Sequence, residues 1–205
     1  MAEAIAQLQA AIRRKPDFAE AHVNLGQLLA QQGRTDEALG RYEAALRLNS
    51  NSVAAHINLG KLLAGQGKSA DAIVHYREAL RVKPESAVAH YNLGNVLTSQ
   101  GSEEALTHYA EAVRLKADFA EARFNLGLGL AKEGRTAEAL TQFQEVVRLR
   151  PEFAEAYLNY GVALAKAGRL EEAIGQFRET LRLDPSHPVA QKYLDQARAR
   201  SSKGS

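Results

Sequence analysis

The sequence predicts an all-α fold, a solenoid of stacked helix-turn-helix units. Three observations carry that prediction. The octet Ala19-Glu-Ala-His-Val-Asn-Leu-Gly26 returns in close variants that start at Val53, Ala87, Ala120 and Ala154, at an interval that is constant but for one short step. Within each interval two runs place apolar residues at helical spacing, such as Leu25, Leu28 and Leu29, then Leu39, Tyr42 and Leu46. A glycine separates the two runs each time, at Gly33, Gly67, Gly101, Gly134 and Gly168. Self-similarity at such a period marks a supersecondary unit that cannot bury its apolar face alone and builds a core by stacking.

The elements follow in order. Residues 1–18 match the second half of the later units, so they read either as the second helix of a truncated repeat or as an N-terminal capping helix. Residues 19–52 form the first complete unit. Ala21, Leu25, Leu28 and Leu29 trace the buried face of its first helix, and Gly33 ends that helix by reaching the left-handed conformation without a Cβ penalty. Thr35 is the expected cap of the second helix, with Asp36 and Glu37 in a first turn where the macrodipole favours acids. Residues 53–86 repeat the unit. Residues 87–119 are one residue short, and the shortfall lies at Gly101-Ser-Glu-Glu, so a tightened turn between two normal helices is expected. Residues 120–153 and 154–187 return to full length. Residues 188–200, with Val189, Ala190, Tyr193, Leu194 and Ala197 on one face, read as a C-terminal capping helix, and residues 201–205 as a short flexible tail.

Charge is balanced. The 26 Lys plus Arg against 24 Asp plus Glu give a net +2, which provides no electrostatic case for nucleic acid or membrane binding. The absence of cysteine excludes disulfides and thiol chemistry. No apolar run approaches the roughly 18 residues of a membrane span. Met1–Gln7 has no basic segment followed by an apolar one, so a cytoplasmic location is the default expectation.

The repeat resembles the tetratricopeptide repeat. Counting each unit from Ala19, Val53, Ala87, Ala120 and Ala154, the small eighth residue is Gly26, Gly60, Gly94, Gly127 and Gly161. The alanine is Ala38, Ala72, Ala105, Ala139 and Ala173, and the aromatic is Tyr42, Tyr76, Tyr109, Phe143 and Phe177. Prolines close three units at Pro84, Pro151 and Pro185, whereas Ser50 and Ala117 depart. The bulky fourth residue departs too: His22, His56, His90 and Arg123 replace the usual aromatic, and Tyr157 conforms. The resemblance covers nearly the whole chain. It implies a right-handed superhelix with first helices on the concave side.

No catalytic constellation is present, and no cofactor is implied. His22, His56 and His90 recur once per repeat, but neighbouring helices pack about 8–10 Å apart while ligands sit about 2 Å from a metal, so no metal site is expected. His75 and His108 read as surface residues of the outer helices, and His187 as structural. The glycines follow the repeat and match no phosphate loop. Arg47, Arg81, Arg114, Arg148 and Arg182 complement helix C-termini.

The residues that call for a cause are the asparagines at the sixth position: Asn24, Asn58, Asn92, Asn125 and Asn159. Asparagine is a mediocre helix-interior residue, because its side chain competes with the backbone. An amide both donates and accepts, so a line of them can track an extended peptide backbone. The resemblance places this position in the concave groove. The preceding residues Val23, Ile57, Tyr91, Phe124 and Leu158 would supply apolar contacts, with Gln27, Lys61, Asn95 and Leu128 beside them. Family members that clamp a carboxylate need a lysine where this chain has that apolar series. The pattern is instead similar to the asparagine ladder of O-linked N-acetylglucosamine transferases. The expected function is a non-enzymatic scaffold binding a protein or peptide segment. Two alternatives stand beside it: the repeat portion of a larger enzyme such as a glycosyltransferase, and self-association through Ile5, Leu8 and Ile12.

Overall fold

The computed structural model describes residues 1–204, with side chains through Ser202. Every regular element among them is helical. The helices are α1 (Ala2–Arg14), α2 (Ala19–Gln31), α3 (Thr35–Leu48), α4 (Val53–Gly65), α5 (Ser69–Val82), α6 (Ala87–Ser99), α7 (Glu104–Leu115), α8 (Ala120–Lys132), α9 (Thr136–Leu149), α10 (Ala154–Lys166), α11 (Leu170–Leu183) and α12 (Ala190–Gly204). They divide into two compact units, Met1–Leu115 and the chain from Lys116 onward. In the first, α2 packs on α3, α4 on α5 and α6 on α7, each pair stacks on the next, and α1 lies against α2. In the second, α8 packs on α9 and α10 on α11, and α12 closes against α11.

The turn inside each pair has one design. Gly33 takes φ +74°, its N–H donates to the Ala30 carbonyl at 3.0 Å, and the Arg34 N–H donates to the Leu29 carbonyl at 3.0 Å. These two bonds satisfy carbonyls that the end of α2 would otherwise leave open. Thr35 does not cap α3, because it is already helical, and its hydroxyl donates to the Gly33 carbonyl. Arg34 holds the position before the helix without a side-chain capping bond, and its Nε and Nη2 grip the Glu37 carboxylate at 2.7 and 2.8 Å. That pairing holds the Glu37 carboxyl below its ordinary range. Arg135–Glu138 and Arg169–Glu172 repeat the arrangement.

The short unit does not keep two normal helices. The Gly101 turn retains its bonds, with Ser102 N–H donating to the Leu97 carbonyl at 3.0 Å. Helix α7 has 12 residues where α3, α5, α9 and α11 have 14: one is the missing residue, and the other is Glu103, which stays in the turn ahead of the helix. At the C-terminus α12 runs to Gly204, so the expected tail is helical through that residue, and Ser205 lies outside the described residues. Ala190, Leu194 and Ala197 are buried against Ile174 and Phe177, while Val189 stays exposed ahead of the helix.

Each pair is locked by the glycine and aromatic of the repeat. A Cβ placed on Gly60 would lie 2.6 Å from Tyr76 Cε1, and one on Gly161 would lie 2.6 Å from Phe177 Cε1. Only a residue without a side chain lets the ring lie against the first helix. Tyr42, Tyr76, Phe143 and Phe177 are accordingly among the largest fully buried side chains.

Candidate functional site

The structure sorts the sixth-position asparagines into different states. Asn24 is exposed, and Asn58, Asn92, Asn125 and Asn159 are half-buried. The Asn159 amide turns back on its own helix, donating to the Glu155 carbonyl at 2.8 Å and to Glu155 Oε1 at 3.1 Å. Asn92 Nδ2 is sealed from solvent and has no hydrogen-bond partner. Asn24 and Asn58 make no side-chain hydrogen bond among the described residues.

The neighbouring apolar series is less open than the sequence suggests. Val23 and Leu158 are each 6% exposed and belong to the core, so neither offers a contact surface. Ile57, Tyr91 and Phe124 are half-buried. Phe124 is wedged between Phe143 and Phe153, with ring centroids 6.1 and 4.9 Å away, and Tyr91 sits 6.2 Å from Tyr109. Among the residues three positions beyond the asparagines, Gln27, Lys61 and Leu128 are exposed. Asn95 is occupied, its Oδ1 accepting from the Tyr109 hydroxyl at 2.8 Å. At the other end of the chain Ile5 is buried under α2, which leaves the half-buried Leu8 and Ile12 of the expected association patch.

The repeat pattern alone does not reveal what the fourth residue does. His22, His56 and His90 each place Nε2 against the carbonyl six residues earlier, on Pro16, Ser50 and Pro84, at 3.2, 3.0 and 3.0 Å. Arg123 Nε donates to Ala117 in the same way at 2.8 Å. The side chain thus ties down the connection that enters its helix. Two of these histidines meet a second one. His56 Nδ1 lies 3.0 Å from His75 Nδ1, and His90 Nδ1 lies 2.9 Å from His108 Nδ1. His75 and His108 are therefore half-buried partners within the helix pair, not surface residues. Burial, and next the neighbouring imidazole, push the pKa of each below the ordinary value. Among the described residues no group of three or more His, Cys, Asp or Glu side chains is placed to hold a metal ion.

Family comparison fits this geometry. Profiles described as tetratricopeptide repeat match residues 17–85, 99–140 and 128–188. The chain is a tetratricopeptide repeat protein. A comparison with the curated proteins finds no match. Among solved TPR structures, YrrB, described as a TPR protein with an unusual peptide-binding site, is 31% identical with a TM-score of 0.76, over 90% of this chain and 96% of that one. MamA is 26% identical with a TM-score of 0.71, over 79% of this chain and 95% of that one. PilF of Pseudomonas aeruginosa, at 21% identity and a TM-score of 0.75 over 90% of each chain, shares the fold. This chain therefore has the TPR fold of protein-interaction scaffolds. No described helix is long and apolar enough to cross a membrane.

Proposed function

We propose that this TPR protein is a non-enzymatic scaffold that binds an extended peptide or protein segment along the face carrying its sixth-position asparagines. The observation that carries the reading is the pair Asn24 and Asn58. They stand one repeat apart on α2 and α4 with amide groups that no side chain or backbone group of the described residues engages. A carboxamide can donate to a peptide carbonyl and accept from a peptide N–H at once, which suits recognition of backbone rather than sequence. Gln27 and Lys61 lie one helical turn further along the same helices and widen the polar strip. In the second unit Asn125 and Asn159 hold the equivalent positions, with Leu128 exposed beside them. The peptide-binding site described for YrrB, at 31% identity, supports the reading.

The test begins with a random peptide library selected on immobilised wild-type protein. The dissociation constant of the strongest peptide is then measured for wild type and for the Asn24→Ala/Asn58→Ala double variant. Two lost hydrogen bonds at about 1 kcal/mol each predict weakening of roughly tenfold or more. Helical content and melting temperature should be retained. An unchanged dissociation constant would remove the ladder from the mechanism.

A further inference from the structure

In the second unit the ladder ends on a ring. Tyr193 of α12 stands one full repeat beyond Asn159, at the position where every preceding first helix carries asparagine. Its ring lies 5.8 Å from that of Phe177 at an angle of 30°. The two rings, with Val162 and Ala197, line a cavity of about 390 Å³ between α10, α11 and α12. That volume is at the lower end of the range for ligand pockets. The remaining hydrophobic lining is alanine, at Ala165 and Ala199, and these short side chains leave the space open.

The charge around this cavity is one-sided. Lys166 and Arg200 line it, and no carboxylate does. Nearby cations are neutralised: Arg169 by Glu172 at 2.7 Å, and Arg198 by Asp195 at 3.8 Å. Lys166 and Arg200 form no ion pair among the described residues. An apolar cavity bordered by two uncompensated cations complements a bulky apolar side chain with carboxylate beside it. An aromatic anchor buried in such a pocket, with charge at its rim, is the usual source of specificity at an interface.

We infer that this cavity takes an aromatic or large aliphatic side chain from an acidic partner segment, with Lys166 and Arg200 receiving the flanking carboxylates. The inference rests on the reading of the first-helix face as the ligand face, and it adds side-chain selection to the backbone recognition described above.

The experiment selects a random end-blocked heptapeptide library on three proteins: wild type, Ala199→Trp, and Lys166→Glu/Arg200→Glu. Ala199 is exposed, so the indole fills the cavity from its rim without entering the core. Wild type should enrich peptides in which an aromatic or large aliphatic residue adjoins Asp or Glu. The strongest such peptide should bind Ala199→Trp about tenfold more weakly, and the charge-reversed protein should select Lys or Arg in place of the acids. The inference is overturned if wild type shows no acidic-apolar enrichment, or if that enrichment survives both variants. Parallel measurement on Asn24→Ala/Asn58→Ala separates the two ideas. Peptides lost in the cavity variants report on the pocket, and peptides that those variants leave unchanged but Asn24→Ala/Asn58→Ala weakens report on the ladder. A selection with no peptides of the first kind removes the pocket, and one with none of the second kind removes the ladder. If the library yields no peptide on folded wild type, both fail.

Discussion

The Nδ1 atoms of His56 and His75 face each other at 3.0 Å across the α4–α5 pair. The Ser50 carbonyl can only accept, so His56 Nε2 carries a proton, and in the neutral ring Nδ1 is then bare. His75 must donate its Nδ1–H to it. The same logic fixes His90 and His108, through the Pro84 carbonyl.

These pairs make the first unit sensitive to acid. His75 is pushed below the ordinary 6.5 chiefly by burial and next by His56, against which Asp71, Glu43 and Glu78 pull upward. His108 is pushed the same way by burial, His90 and Arg77, with Glu104 opposing. A depressed folded pKa means that the unfolded chain binds more protons below about pH 6.5, so stability present above that pH is lost as pH falls through the folded value. Thermal melts of wild type should shift downward between about pH 7.5 and 5.5. The His75→Gln/His108→Gln variant should lose less over the same interval. Equal shifts would show that other groups control the acid response.

Asn92 should be a residue whose removal stabilises. Its Nδ2 is buried without a partner, which costs about 1–3 kcal/mol, and alanine is the better helix former by about half a kcal/mol. Asn92→Ala is therefore expected to raise stability by about 1 kcal/mol or more in urea unfolding. A loss of stability would mean that the amide is satisfied in solution.

The Gly161–Phe177 contact should show strong coupling. Gly161→Ala brings a Cβ to 2.6 Å from the ring and should cost about 1–2 kcal/mol net, overpacking outweighing the helix-propensity gain. With Phe177→Leu already present, the same glycine substitution should cost little or become favourable. A double-mutant cycle in denaturant reads the difference directly. Additive effects would contradict the lock.

Most of the architecture can be read from the chain because a repeat presents each decision several times. Gly26 and Tyr42 stand out in the sequence as the small and aromatic partners, and they do meet. The His56–His75 pair escapes such a reading. It occurs in only two of the five complete units, since the position of His75 and His108 holds Arg41, Gln142 and Gln176 in the others, so the repeat pattern does not single it out. Val23 escapes for another reason. On a single helix, with about 100° between successive residues, it borders the buried face, and only a packed neighbour decides that it is enclosed. The shortfall at Gly101 is visible in the sequence, but the glycine turn keeps its backbone bonds and the start of α7 gives way.

The glycine–aromatic lock also bears on how the protein is made. Gly26 and Tyr42 lie less than half a repeat apart in the chain, and so do Gly94 and Tyr109. Closing so short a loop takes well under a microsecond, and secondary structure of this size forms in microseconds. A ribosome adding about 5–20 residues per second needs seconds for each repeat. Every lock can therefore shut before the following repeat leaves the exit tunnel. Contact formation thus keeps pace with synthesis, and each new unit completes its burial as the next one stacks on it.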